Sequence, residues 1–295
     1  MRIGFIGFGE AASAIAAGLK QEGVADIVAY DVADTPIVQS RAEAIHAHLV
    51  TSKEELARQA DVILSMVTAS VALNVAQDIA PYLRPGTVYA DLNSCSPRTK
   101  REIYEMLENV APEVEYASVA VMSAVPPLRH KVPMVADGPG AARLHERLSP
   151  YHMNIQVIQG PVGASAVLKM CRSVIVKGLE ALFLEALVAA DRAGVAEQVL
   201  ASLDASFGSM SLSGMGDYLL RRHWVHGRRR AHEAQEAIRT VEELGAEAWV
   251  TRGVAQRLEW GAQMREQAAS MPDELPSYRD VLRAFRLAEG DVQLD

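Results

Sequence analysis

Cysteine is nearly missing: Cys95 and Cys171 are the only two in 295 residues. That is too few for a disulfide framework and offers no zinc-ligand spacing, so a reducing cytoplasm is the expected setting and no metal is expected. Positive charge is also short, with 29 Lys and Arg against 37 Asp and Glu for a net charge of −8. That balance argues against nucleic acid as the main partner. No run of about 18 uninterrupted apolar residues occurs, so no membrane span is expected. The first apolar run is broken by Gly4, Gly7 and Gly9 and followed by Glu10, which is not the layout of a secretory signal. Internal repeats and low-complexity segments are absent as well. What is present, 49% hydrophobic and 22% charged residues, is the composition of a soluble globular protein. The length suits one large domain or two ordinary ones.

The organising stretch is the N-terminus, MRIGFIGFGEAASAIAAG. An apolar strand over 3–6 runs into Gly7-Phe8-Gly9 and then into a helix rich in small residues. The spacing is G-x-G-x-x-A at Gly7, Gly9 and Ala12. In a dinucleotide-binding turn the first glycine permits the bend and the second lets backbone approach a pyrophosphate. The small third residue lets helix and strand pack closely. The helix N-terminus adds free N–H groups and a positive dipole end. Gly7, Phe8, Gly9, Glu10, Ala11 and Ala12 are therefore the expected cofactor contacts. A second strand over 27–30 ends at Asp31, 22 positions after Gly9, close to the roughly 20 expected of a carboxylate that grips an adenine ribose. The competing reading is a glycine turn of another α/β fold with Asp31 as a helix cap.

Beyond Asp31 strands and helices alternate. Helices are expected over 36–46, 52–59, 69–83 and 98–109, strands over 47–49, 61–67 and 87–91. Alternation implies crossover connections and a parallel, doubly wound sheet. Ligands of such sheets lie at the strand C-termini, which points Val67, Thr68, Asn93 and Ser94 toward the cofactor; helix capping explains the same polar turns. Strands over 114–122, 132–136 and 155–158 follow, with a proline-rich loop at Val125-Pro126-Pro127. At Gly160-Pro161-Val162-Gly163 the pattern turns wholly helical. The expected division is a nicotinamide-binding Rossmann domain over 1–160 and an all-helical substrate and dimerisation domain over 161–295. Residues 209–216 read as a loop, Asp217 as an N-cap, and Arg221 to Arg230 as a basic cluster on one long helix, either a solvated or dimer-facing surface or part of an anion site.

The first helix after that boundary, 164–193, is apolar on nearly every side, as expected of a helix buried between domains. Yet Ser165, Lys169, Arg172, Ser173 and Glu180 fall near one stripe at about 100° per residue. Buried charges are costly unless paired, so the stripe either pairs internally or lines a cavity. A partly desolvated lysine near another cation has a lowered pKa and could exchange a proton with an alcohol or carbonyl. A structural Lys–Glu network accounts for the same pattern. Lys177, about 80° round the helix from Lys169, is expected to pair elsewhere.

The opening GFIGFGEAASAIAAGL resembles the N-terminus of the β-hydroxyacid dehydrogenases, which include 3-hydroxyisobutyrate and 6-phosphogluconate dehydrogenases. The stretch from Asp91 through Pro97, DLNSCSP, is similar to that family's D-x-S-T-x-x-P turn near the nicotinamide. Gly163 and Lys169 resemble the segment bearing its catalytic lysine, and Glu185-Ala186 with Ala193-Gly194-Val195 matches the continuation. The resemblance covers the chain to about residue 195. It implies an NAD(P)-dependent oxidoreductase interconverting a hydroxyl and a carbonyl, with Lys169 as general acid/base. NAD is expected over NADP because no arginine follows Asp31 at once; NADP is not excluded. A homodimer is expected by analogy with the fold.

Two departures bear on the substrate. Where the family carries Asn at the third and fourth positions after its lysine, this chain has Arg172 and Ser173. Where the family has a glycine-paired carboxylate loop, this chain has Met122, Ser123 and Ala124. These five residues are the expected substrate contacts, for a small molecule larger or less polar than a short 3-hydroxy acid, with Arg172 as an anion contact. An imine reductase on the same architecture and a non-catalytic NAD(H)-binding module stay open as alternatives.

Overall fold

Each predicted βα alternation places a strand in one sheet. The strands are β1 (Arg2–Ile6), β2 (Asp26–Tyr30), β3 (His48–Leu49), β4 (Val62–Ser65), β5 (Val88–Asp91), β6 (Glu115–Val121), β7 (Met134–Asp137) and β8 (Ile155–Val157). Their order is β3-β2-β1-β4-β5-β6-β7-β8. All pair in parallel except β6 with β7. Side chains alternate between two apolar layers. Ile3, Phe5, Val62, Leu64, Val88 and Ala90 pack on one face, and Ile6, Val28, Ile63, Tyr89 and Tyr116 on the other. A parallel sheet buried on both faces needs such continuous apolar runs.

The computed structural model describes residues 1–33 and 35–289. The helices are α1 (Glu10–Gln21), α2 (Pro36–Glu43), α3 (Lys53–Gln59), α4 (Ala72–Ile79), α5 (Pro97–Val110), α6 (Val125–Leu128), α7 (Ala141–Leu148), α8 (Ala164–Arg192), α9 (Ala196–Phe207), α10 (Leu212–Glu243), α11 (Trp249–Gln267) and α12 (Tyr278–Glu289). The architecture is thus an α/β Rossmann sheet followed by an all-α region. The expected proline-rich loop at Val125-Pro126-Pro127 is instead the single turn α6, because proline is tolerated in a helix's first turn where no N–H partner is needed.

The chain divides into two compact units, Met1–Val174 and a second that begins at Ile175. The partition falls inside α8, because the start of that helix is pinned to the sheet. The buried Asp137 carboxylate at the end of β7 accepts from Gly163 N at 2.7 Å and Ser165 N at 2.7 Å. Gly163, at φ +96°, makes the turn, and a Cβ there would lie 2.9 Å from the Pro97 carbonyl oxygen. Ser165 Oγ then bonds Ser118 Oγ at 3.1 Å.

Farther along, α8 departs from expectation. Val174, Ile175 and Leu184 are 74%, 60% and 67% exposed, so the helix is not buried in the single chain. Among the described residues nothing covers these three side chains. Lys177 is likewise exposed and makes no hydrogen bond or ion pair among the described residues.

In the second unit, Trp224 is buried with its indole N–H donating to Pro272 O at 3.0 Å, and Phe285 packs between Trp224 and Trp260. The expected loop over 209–216 is largely helix. Ser211 caps α10 by accepting from Gly214 N at 3.1 Å. Asp217 therefore lies inside the helix, pairing with Arg221 at 2.9 Å and accepting from Tyr278 N at 2.7 Å. Gly214 and Gly216 are carried within this long helix. That helix is broken once, at His226 with φ −122° and ψ 18°.

Candidate active site

The register of the central strands sets the site. Ile6 lies opposite Tyr30 and Ser65, and Ser65 opposite Asp91. The four turns that leave these strands therefore emerge at one edge, around the point between β1 and β4 where the order of connection reverses. Here a cavity of about 610 Å³ opens, lined among others by Gly7, Gly9, Glu10, Ala11, Ala12, Asp31, Val67 and Thr68. Its size lies within the usual range for small-molecule sites, roughly 300–1,000 Å³.

Gly7 has φ +81°, and a Cβ there would meet the Met66 carbonyl oxygen at 2.5 Å, so no other residue fits the bend. Gly9 is the N-cap of α1, and nothing stands within 4 Å of where its Cβ would point. Backbone N–H groups at the first turn of α1 have no intrahelical partner. Together they make an open, positively polarised cradle that fits a pyrophosphate. Ala12 is buried in the layer that includes Phe5 and Leu64, and Phe8 is buried against Phe5. Phe8, expected as a cofactor contact, is therefore a core residue and does not line the cavity. Its N–H donates to Asp31 Oδ2 at 2.6 Å, and Asp31 Oδ1 accepts from Ala33 N at 2.8 Å. A carboxylate has about four lone-pair sites, so Asp31 is oriented by these bonds and keeps acceptor capacity for ribose hydroxyls.

The next turns hold one another. Asn93 Oδ1 accepts from Val67 N at 2.6 Å, and its amide donates to Asp91 Oδ1 at 2.7 Å and Ser65 Oγ at 3.0 Å. Asn93 therefore fixes the Val67–Thr68 turn rather than presenting its amide to a ligand. Thr68 Oγ1 lies 3.2 Å from Ser70 Oγ. Asp91 is fully buried, paired with the equally buried Lys100 at 3.0 Å, and accepts from Tyr116 OH at 3.2 Å. Lys100 also donates to Asp91 O at 2.6 Å.

Ser94, exposed on this braced turn, accepts from Lys169 Nζ at 2.9 Å. Burial first, and then the Lys100 charge, push the Lys169 pKa below the ordinary lysine value. One helical pitch on, Arg172 NH1 makes a long contact of 3.5 Å to Met122 O. So Lys169, Ser94, Arg172 and Met122 come together, all within the first unit. Ser123 and Ala124 are exposed beside Met122. Ser173 is half-buried and makes no side-chain hydrogen bond among the described residues.

Several contributors were not visible in the sequence. Val71 and Val75 supply an apolar wall of the cavity, and Lys53 and Asp78 line it as an ion pair. Val75 lies on α4 and Val71 in the turn just before it. Lys100 and Asp137 carried no signal: Lys100 meets Asp91 across the turn that follows β5, and Asp137 meets the start of α8 from the end of another strand. Outside the first unit the basic cluster is mostly neutralised: Arg221 by Asp217, Arg228 by Glu259 and Glu266, and Arg229 by Glu233.

Comparison with known proteins agrees with this geometry. Residues 2–117 match the NAD binding domain of 6-phosphogluconate dehydrogenase, and residues 190–261 match a domain of unknown function, DUF1932. A conserved hypothetical protein from Sinorhizobium meliloti 1021 is 34% identical, with 98% of this chain and 96% of that one covered and a TM-score of 0.64. A conserved protein of unknown function, described as structurally similar to 3-hydroxyacid dehydrogenases, is 27% identical over 98% and 97% of the two chains, TM-score 0.63. An imine reductase from Myxococcus stipitatus in complex with NADP+ shares the fold at 16% identity, covering 89% and 94%, with a TM-score of 0.71. The fold and glycine turn thus define an NAD(P)-binding protein with a dehydrogenase-like architecture. The chain belongs to the β-hydroxyacid dehydrogenase-like superfamily.

Proposed function

We propose that this protein is an NAD(P)-dependent oxidoreductase that interconverts a hydroxyl and a carbonyl on a small organic substrate, with Lys169 as general acid/base. The observation that carries the reading is Lys169 Nζ held 2.9 Å from Ser94 Oγ, on the turn that follows β5 at the cofactor edge of the sheet. When bound, the nicotinamide supplies hydride acceptance or donation. Gly7, Gly9 and the first turn of α1 hold its pyrophosphate, and Asp31 the adenosine ribose. Lys169, in its neutral form, takes the proton of a substrate hydroxyl lying within about 2.6–3.2 Å, and returns it to the carbonyl oxygen in the reverse direction. Ser94 orients the amine. Arg172 offers a guanidinium to an acidic group of the substrate, and Met122, Ser123 and Ala124 border the same place.

Reduction of C=N is the second reading, supported by the shared fold of the imine reductases. The same lysine, protonated, would donate to the developing amine. A homodimer is part of the proposal and is supported by the exposed apolar residues of α8. A cytoplasmic setting belongs to it too. The domain division at residue 160 remains our functional boundary, since the Gly-Pro turn there ends the sheet and begins the helix that bears Lys169.

The test is a screen of hydroxy acids, aryl alcohols and cyclic imines with each cofactor, repeated with Lys169→Met. The variant should bind NADH normally and lose about 10²–10⁴ in kcat. Turnover that survives with an unchanged pH profile would make Lys169 a structural cation. Preferential turnover of imines would move the reaction to the second reading, and tight NADH binding without any turnover would leave a non-catalytic module.

A further inference from the structure

In the second unit α10, α11 and α12 line a cavity of about 320 Å³ whose charged wall, among the described residues, is basic. It consists of His223, Arg230 and Arg257, with no carboxylate in the lining among the described residues. The apolar wall includes Trp260, Leu282 and Phe285. Among the described residues neither arginine has an ion-pair partner, although Arg228 and Arg229, adjacent in sequence to Arg230, both do. Arg230 Nε and His223 Nδ1 are buried with no hydrogen-bond partner. The Arg257 guanidinium lies over the Trp260 ring, 3.7 Å from its centroid. Burial, then the charges of Arg230 and Arg257, push the His223 pKa down.

A buried N–H without an acceptor is costly. A chain that pairs two of three consecutive arginines and leaves the third facing a cavity with another guanidinium has built a place for a negative group. Guanidinium forks match a carboxylate with two parallel bonds. The volume is near the lower end for small-molecule sites, roughly 300 Å³, and the walls opposite the cations are aromatic and aliphatic. We propose that this cavity binds a small aryl carboxylate, its carboxylate between Arg230 and Arg257 and its ring against Phe285 and Leu282. The site uses only residues of α10 to α12, so it does not depend on the role given to Lys169.

Calorimetric titration of the full chain with phenylacetate, and with its neutral isostere phenylacetamide, tests the proposal. Phenylacetate should bind saturably and the amide at least tenfold more weakly. Arg230→Gln and Arg257→Gln should each weaken phenylacetate at least tenfold. Leu282→Trp, at a position 45% exposed and so tolerant of size, should fill the cavity and abolish binding. If an arginine variant does not fold, the acid–amide comparison and Leu282→Trp still decide. Lys169→Met should bind phenylacetate as the natural chain does; loss there would place the ligand elsewhere and overturn the proposal. It also falls if phenylacetate does not bind, if acid and amide bind alike, or if both arginine variants bind normally. A ligand-independent shift from dimer to monomer in Arg230→Gln would assign the basic wall to a contact between copies and likewise overturn it.

Discussion

Lys169 is held in position by side chains that never reach the cavity. Lys100 is buried against Asp91, and that pair braces the turn on which Ser94 meets Lys169. After burial itself, Lys100 is the charge that lowers the Lys169 pKa. Removing it should therefore raise that pKa, and at fixed pH less neutral amine is available for oxidation. Lys100→Met alone strands a buried carboxylate, at about 3–5 kcal/mol; Lys100→Met with Asp91→Asn avoids that and is the variant to measure. We expect its alkaline-rising limb of kcat against pH to move to higher pH than in the natural chain. An unmoved limb would confine Lys100 to a structural part. Asp31 makes the second residue-scale prediction. Its carboxylate is oriented by Phe8 N and Ala33 N, and the cavity's lysine, Lys53, is already paired with Asp78. A 2′-phosphate would meet the carboxylate with no free lysine in the cavity lining to offset it. Catalytic efficiency should be higher with NAD than with NADP, and Asp31→Ser should narrow that difference; equal efficiency in the natural chain would remove Asp31 from the part. Residues of this kind divide sharply in how far the sequence discloses them. Gly7, Gly9 and Asp31 are legible because their spacing is local and each position has a distinct steric or charge requirement. Lys100 is not, because its partner Asp91 lies across a turn and its burial depends on the packed sheet.

Helices show the same contrast one level up. The start of α8 was legible from its glycine–proline turn, and the Lys169 stripe from its period. What holds that start, Asp137 at the end of another strand, has no mark in the sequence. Nor does periodicity say what covers an apolar face, which explains why α8 was expected to be buried and is not. Glu185, farther along α8, shows an element end completed from a distance. Ala248, the N-cap of α11, has no capping side chain. Glu185 takes over, accepting from Val250 N at 2.6 Å and from Thr251 N at 2.8 Å. Burial raises its pKa, but the bonds from Thr251 and Val250 outweigh that and leave it below the ordinary carboxylate value of 4.5. A depressed carboxylate contributes stability above its unfolded pKa and loses it as pH falls through the folded one. Glu185→Gln should therefore cost about 1–2 kcal/mol near neutral pH, as a lost cap does. The difference from the natural chain should shrink once the pH falls below about 4.5. Chemical denaturation at a series of pH values checks this; a pH-independent difference would mean that the Glu185 charge is not what caps α11.

At the scale of the whole molecule, the question is what an exposed apolar helix is for. Val174, Ile175, Val176, Leu182, Phe183 and Leu184 all exceed a third exposure on one stretch of α8. So many exposed apolar side chains on one short stretch are uncommon on a monomer and mark an interaction surface. Among the described residues no helix is long and apolar enough to cross a membrane, α8 included, so a bilayer-spanning role does not account for it. A second copy presenting the same helix would account for it, because an isologous contact brings one surface onto itself. The net charge of −8 does not oppose this, since α8 contributes few carboxylates to the patch. We therefore expect light scattering to give twice the chain mass and the thermal midpoint to rise with protein concentration, as it does when association stabilises the folded state. Val174→Glu with Leu184→Glu places carboxylates at positions already 74% and 67% exposed, where a monomer accommodates them and a two-fold contact brings like charges together. The double variant should be a folded monomer with a concentration-independent midpoint. A natural chain that runs at single mass over micromolar to millimolar concentrations would refute the dimer and leave the α8 face to a different partner.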